Sequence, residues 1–354
     1  VSGMDLTWYF NQWYFGNGHP KLDIQYKYNE VSQQATVVVK QTQGTGKIFR
    51  IPTFIDVYNG KTRTRNEVWI EHAVDSFSFA STTKPDLINF DGDKILLCEK
   101  KENKSLDNYI HQFYQAGNYL DRKEAVDFCG RKTDEPKALA LLKDALNDPF
   151  HGIRLLAMSK IDMKKDRIRK TFEETIALLV NKETNRPVKA SMIEGLGKTA
   201  DAKYASLYEK NINDSSYSVS GAALEALSKT DSVLALKYAM ELSNKPAKGK
   251  LDMATNAILV ASGKEEVFDK LADKFTALGL TNEKFTLMQQ IGEMTGSMKK
   301  SIDMIIAFRD EIPAQVKEQT NPYINGMILG GIMNKLKMAG NSEMVKYLES
   351  KLGK

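Results

Sequence analysis

Cysteine and histidine are scarce in this chain, and their spacing excludes most metal and thiol chemistry. Cys98 and Cys129 are the two cysteines among 354 residues. No C-x-x-C occurs, and the pair fall in blocks of different texture; a disulfide between them is open, and two buried free thiols is the favoured reading. The four histidines, His19, His72, His111 and His151, are followed by Pro20, Ala73, Gln112 and Gly152. No two lie four apart, so the H-E-x-x-H arrangement of zinc hydrolases is absent. There is no G-x-S-x-G elbow, no G-x-G-x-x-G after a strand and no G-x-x-x-x-G-K-[ST]. Gly44-Thr45-Gly46 leads from one strand into another, so the helix start that would hold a phosphate is missing, and a turn is expected. Glu173-Glu174 and Glu265-Glu266 read as solvated helix faces. No apolar run approaches the ~18 residues of a membrane span, and no charged start followed by an apolar run marks a signal peptide. The net charge is only +5, and Lys and Arg outnumber Asp and Glu by 13 to 12 in residues 1–105 and by 37 to 33 in the remainder. Without a basic block, nucleic acid is not an expected partner. No catalytic, cofactor-binding or metal-ligating residue is assigned within the chain.

What is present is enough apolar material for folded domains, 42% hydrophobic and 9% aromatic, in a chain too long for one ordinary core. From Lys21 to about Lys104 the pattern has period two. Leu22, Ile24, Tyr26 and Tyr28 alternate with Asp23, Gln25 and Lys27, as in a half-buried strand. Ala35–Val39 is β-branched, and Ile48–Tyr58 reads as a strand in which Pro52 implies an edge or a bulge. Asn59-Gly60 signals a hairpin. Arg63–Phe79 alternates through Val68, Ile70 and Ala73, and Leu87–Leu97 reads as a second hairpin turned at Asp91-Gly92. Short strands and tight turns predict a small antiparallel β-sandwich.

After Lys104 the apolar spacing becomes helical. A weak repeat is visible, in which Asn147-Asp148-Pro149, Asn185-Arg186-Pro187, Asn213-Asp214-Ser215 and Asn244-Lys245-Pro246 each precede a helix. The aligned positions Ile153, Val188, Val219 and Leu251 are separated by 35, 31 and 32 residues. Each unit reads as a capped or proline-started helix with small residues where neighbours approach. This resembles HEAT-type helix pairs. The alternative is an irregular helical bundle, and recurrence of the cap in phase favours the solenoid. The Met-rich end, with Met327, Met333, Met338 and Met344, is expected to fill core space and close the stack.

The opening residues, Asp5 to Pro20, read as the tail of an amphipathic helix, a glycine stop and a switch to a strand at Lys21. Such a start suggests a chain cut from a larger one. Trp8, Tyr9, Trp13, Tyr14 and Phe15 are too aromatic for a free surface helix. They are expected to pack on the β-block or on material outside the chain. His19, between Gly18 and Pro20, fits a junction histidine with a local hydrogen bond, and its other reading is a contact to a missing domain.

Three features together resemble the M1 zinc aminopeptidases. They are the Trp8…Trp13…Gly18-His19-Pro20 junction, the Asp86-Leu87-Ile88-Asn89-Phe90-Asp91-Gly92-Asp93 segment, and Asn118-Tyr119-Leu120-Asp121-Arg122-Lys123-Glu124-Ala125. The resemblance implies a terminal helix of a missing catalytic domain over 1–18, a β-sandwich over 19–104 and an all-α HEAT-like superhelical domain over 105–354. It implies zinc in the parent protein, held upstream and not by this chain. It also implies that the helical domain covers the catalytic cleft and restricts peptide access, with the sandwich as spacer. The implied partners are that upstream domain and the parent's peptide substrate. Trp8, Trp13, Tyr14, Phe15 and His19 are the candidate contacts to the missing domain. The alternative is a HEAT-like scaffold that binds protein or peptide, from an M1-like protein without catalysis.

Overall fold

The computed structural model describes residues 3, 5–44, 46–294 and 298–352. Thr45, in the turn expected at Gln43–Gly46, and the side chains of Glu265 and Glu266 lie outside the described residues. The chain forms two compact units, Val1–Asp162 and Met163–Lys354. The change from strand to helix near Lys104 falls inside the first.

The first unit begins with helix α1 (Thr7–Trp13). Seven strands follow: β1 (Lys21–Asn29), β2 (Gln34–Gln41), β3 (Ile51–Asn59), β4 (Thr62–Ile70), β5 (Val74–Ala80), β6 (Leu87–Phe90) and β7 (Glu99–Glu102). They build a four-stranded sheet in the order β5-β2-β1-β7 and a three-stranded sheet in the order β4-β3-β6. All pairs are antiparallel except β1 with β7. Alternation places Leu22, Ile24, Val37 and Val39 of one sheet in the same core as Ile51, Ile55, Val57 and Ile70 of the other.

Several local readings are corrected. Arg63–Phe79 is two strands in different sheets, because the chain turns at residues 71–73. The Asp75 carboxylate accepts from the backbone N–H groups of Glu71 and His72 and fixes that crossing. The β3–β4 hairpin pairs Asn59 with Thr62, so its loop is Gly60-Lys61, one residue later than Asn59-Gly60. Gly60 has φ +55°, which suits the first loop position to glycine. Pro52 lies in the central strand of its sheet, yet β6 pairs only with Ile55–Tyr58. The missing N–H of Pro52 therefore lies beyond the end of β6 and breaks no pairing. Leu87–Leu97 is not a hairpin. β6 pairs with β3, and residues 91–98 are irregular because Lys94, at φ +55°, turns its ammonium inward.

Helices α2 (Leu106–Gln115), α3 (Tyr119–Gly130), α4 (Pro136–Ala145) and α5 (His151–Lys160) complete this unit. A reciprocal cap between Ser105 and Asn108 starts α2, which packs on β6 and α3.

The second unit is helical throughout its described residues. It runs through α6 (Asp166–Val180), α7 (Arg186–Gly197), α8 (Ala205–Asn211), α9 (Tyr217–Ser228), α10 (Ser232–Leu242) and α11 (Gly249–Ala261). It continues with α12 (Glu265–Ala277), α13 (Asn282–Ile291), α14 (Met298–Glu311), α15 (Ala314–Tyr323), α16 (Gly330–Met338) and α17 (Ser342–Leu352). A β domain followed by an all-α domain is thus the architecture. The aligned repeat positions Ile153, Val188, Val219 and Leu251 are all buried. α7 packs on α9, α9 on α11, and α11 on α13. Small residues permit the approach: a Cβ on Gly197 would stand 2.7 Å from the Ala226 methyl, and one on Gly221 would meet the backbone of Lys250 and Leu251.

The caps are less uniform than the repeat suggests. Asn185 caps α7 through Val188 N, while Asp148 and Asp214 accept from Phe150 N and Ser216 N just ahead of their helices. Asn244 instead donates back to the Met240 carbonyl at the end of α10. Pro322, inside α15, precedes a π-helical turn over Ile324–Leu329. Met333 and Met344 pack on the core, whereas Met327 and Met338 point to solvent, so only half of the Met-rich set fills core space.

Candidate functional site

The opening helix has two faces of different character. On the inner face, Gln12 makes both backbone bonds of an added strand residue. Its Nε2 donates to the Arg50 carbonyl at 2.9 Å, and its Oε1 accepts from Arg50 N at 2.7 Å. Trp8 meets Trp69 of β4 edge-on with centroids 5.7 Å apart, and the Arg50 guanidinium lies over both rings. Arg50 is held in turn by Glu71 at 2.7 Å. Trp13 packs on Phe49 at 5.5 Å and joins the sandwich core. The Lys47 ammonium donates to the carbonyls of Gln12 and Asn17, tying down the end of the helix.

The outer face is a continuous aromatic strip. Tyr9 and Phe10 are 45% and 46% exposed, and Tyr14 and Phe15 are each 78% exposed. Edge-to-face contacts at 5.7–6.4 Å link Tyr9 to Phe10, Phe10 to Tyr14, and Tyr14 to Phe15. Of the five residues singled out by the sequence, Trp8 and Trp13 are thus anchors on the β-domain, and Tyr14 and Phe15 belong to the outer strip. His19 is exposed, with Nε2 2.7 Å from Glu99 Oε1, an oxygen shared with Lys21. Gln12 and Arg50, which align the helix, carry no motif that marks them.

A second cluster joins the sheets to α2 and α3. Lys94, buried, lies 3.0 Å from Asp121 Oδ1 and donates to Asn89 Oδ1 and to the carbonyls of Phe90 and Asp91. Asn89 donates to the same Asp121 oxygen at 2.9 Å. Lys104, also buried, reaches Glu102 at 2.9 Å, Gln112 at 2.8 Å and Asn89 at 3.2 Å. Lys100 pairs with Glu102 and Glu124, and Tyr26 donates its hydroxyl proton to Glu102. Three ammonium groups therefore face three carboxylates.

Burial pushes Lys104 down to about 8, against the pull of Glu102, and Lys100 and Lys94 add to the depression. Burial alone would raise Glu102, but the Lys104 and Lys100 charges override it and hold the carboxyl far below the usual range. Glu124 shifts the same way, burial being outweighed by Lys100, Lys94 and Lys104. Burial and the nearby carboxylates push Tyr109 up to about 12. An amine poised near neutrality is chemically competent as a base or nucleophile, yet the Lys104 side chain is wholly enclosed. The cluster therefore serves as a polar joint between sheet and helices. The Asp121 side chain is fully enclosed in it, and its second oxygen has no protein partner.

Among the described residues, no three His, Cys, Asp or Glu side chains are grouped so as to hold a metal ion. The zinc implied by the family resemblance thus has no fitting donor set among them. His72 is bonded to Asp75 at 2.8 Å, His111 meets Tyr58 edge-on, and His151 lies against Phe150. Both cysteines are free. Burial pushes their thiols up to about 11 for Cys98 and about 12 for Cys129, away from nucleophilic thiolates. No described helix is long and apolar enough to cross a membrane.

No protein-family model and no curated protein matches the chain. Among solved structures, the chain is similar to a Legionella pneumophila aminopeptidase A crystallised with aspartic acid. The identity is 14% and the TM-score 0.49; the match covers 99% of this chain and 50% of that one, so the chain spans about half of its length.

Proposed function

We propose that this chain is the non-catalytic C-terminal part of an M1-type zinc aminopeptidase, whose helical domain covers the catalytic cleft and restricts peptide access. The observation that carries this reading is the two-faced opening helix. One face is locked to the β-domain by Trp8, Gln12 and Trp13, while the other presents Tyr9, Phe10, Tyr14 and Phe15 outward. An aromatic strip of this kind suits burial by a further domain, and the Gly18-His19-Pro20 junction supports the same family. In this reading the zinc-activated water and its general base belong to the upstream domain.

The test is to sequence and express the polypeptide with its upstream segment and assay aminoacyl-anilide hydrolysis with zinc. The extended protein is expected to contain H-E-x-x-H and turn over, and the isolated chain to be inert. Turnover by the isolated chain, or an upstream segment without a zinc motif, overturns the reading. The second outcome would favour the other reading, a HEAT-like binding scaffold, which the glycine-mediated packing of α7, α9 and α11 supports.

A further inference from the structure

The helical unit contains a recessed cavity of about 250 Å³ between the end of α10, the loop that follows, α11 and α12. Three lysines line it, Lys245, Lys270 and Lys274, with Asp252 as the single carboxylate. Lys274 is ion-paired with Asp252, whose other oxygen accepts from Asn256 Nδ2 at 3.1 Å. Lys270 donates to Asn244 Oδ1 at 3.2 Å. Two of the three ammonium groups are thus held in place by their neighbours. Lys270 and Lys274 stand one turn apart on α12, a like-charge spacing that costs stability unless something neutralises it.

Asp252 offsets one of these charges, leaving the lining with two in excess. Thr255 lines the same cavity; it is 3% exposed, and its hydroxyl has no partner in the protein. A buried hydroxyl left unpaired is unfavourable, and an anionic oxygen in the cavity would accept its proton. Leu242, Leu259 and Leu271 supply apolar wall. The volume is below the ~300–1,000 Å³ usual for drug-sized ligands, which limits the occupant to a small molecule.

We propose that this cavity binds a small organic dianion with a short carbon body. The excess charge on Lys245, Lys270 and Lys274 would neutralise it, and Thr255 would donate to one of its oxygens. Both phosphate monoesters and dicarboxylates have this chemistry. The site stands independently of the aminopeptidase reading and needs no hydrolytic partner.

Calorimetric titration of the full chain at low ionic strength, with glycerol phosphate in one arm and succinate in the other, tests it. Saturable binding with a Kd of ~1 mM or tighter is expected in at least one arm, and the tighter arm identifies the anion. The exposed pair Lys245→Gln and Lys270→Gln, changed together, should weaken binding by ~10-fold or more, as the loss of two charges demands. Thr255→Val, nearly isosteric, should weaken it by ~3-fold or more through the lost hydrogen bond, without lowering the melting temperature. Lys317→Gln on α15 should leave binding unchanged. Absence of binding in both arms, or undiminished binding by the double lysine variant, overturns the proposal. Because no peptide hydrolysis is read, either failure leaves the aminopeptidase proposal untouched.

Discussion

The two units solve the same problem, joining elements that cannot bury their own surfaces, by opposite means. In the first, the joint between sheet and helices is ionic: Lys94 and Lys104 are enclosed with Asp121 and Glu102, and the half-buried Lys100 and Glu124 complete the set. In the second, helices approach through missing side chains, with Gly197 against Ala226 and Gly221 against the start of α11. An ionic joint is specific but brittle. It is favourable only while every charge keeps its partner, since each was taken out of water at a cost of several kcal/mol or more before pairing. A small-residue joint is dry and tolerant of pH, but an added methyl group costs stability wherever it meets backbone that cannot give way.

The largest effect is therefore expected where the ionic joint loses one member. Glu102→Ala leaves Lys104 and Lys100 without their shared carboxylate, and should cost ~3–5 kcal/mol by urea unfolding. Loss of less than ~1 kcal/mol, the range of an exposed pair, would show that the cluster is dispensable. The same joint should respond to acid. Glu102 and Glu124 are held below their unfolded value of 4.5, so their contribution is complete above that value and is lost as pH falls through their folded values. Lys104 acts in the other direction: a folded value of about 8 against 10.5 means that this amine alone disfavours folding below about 8, and the penalty lifts as pH rises toward 10.5. The wild-type urea midpoint should fall on acidification below 4.5, and Glu102→Gln should flatten that fall. An unchanged slope in the variant would place the acid sensitivity elsewhere.

In the helical unit, Gly221→Ala is the sharper change, because its Cβ would collide with the Lys250–Leu251 backbone, which cannot rotate away. It should cost ~1–3 kcal/mol, the range for overpacking. At Gly197 the obstacle is the Ala226 methyl, and the better helix propensity of alanine offsets part of the clash by up to ~1 kcal/mol. Gly197→Ala should thus lie within ~1 kcal/mol of wild type. A reversed order in thermal unfolding would contradict the close backbone approach of α9 and α11. Neither variant should alter the acid response, which separates the two kinds of joint.

These differences explain which parts of the molecule could be read from its residues alone. Strand and helix signals are local, so β1 was legible to its first residue, Lys21, and the repeat positions Ile153, Val188, Val219 and Leu251 proved buried. The hairpin at Asp91-Gly92 misled because its outcome is decided at long range. Ile95-Leu96-Leu97 has a strand composition, but Lys94 is drawn to Asp121, 27 positions away, and Asp91 accepts from Ile95 N and Leu96 N. The ionic joint was invisible for the same reason, as lysines and glutamates at ordinary density read as surface. The lysine cavity left no signal either, since Lys245, Asp252 and Lys274 come from separate elements and meet only after packing. The aromatic opening segment was conspicuous by composition, but which rings anchor and which face out depends on Gln12 and Arg50 pairing their backbone-like groups.

The smallest change in stability is expected on the outer strip, and it sharpens the contrast between a joint already made and one still open. Tyr14→Ser with Phe15→Ser removes rings that are each 78% exposed, so the unfolding free energy should move by no more than ~0.5 kcal/mol. Trp13→Ser, on the inner face against Phe49, should cost ~2 kcal/mol or more through lost packing. The order reverses for association. Contiguous exposed rings favour contact with another surface, so sedimentation velocity at rising concentration should show self-association of the isolated chain that the Tyr14/Phe15 variant abolishes. If that variant instead unfolded as readily as Trp13→Ser, both faces of the opening helix would be part of the β-domain's own core, and the strip would offer nothing to a further domain.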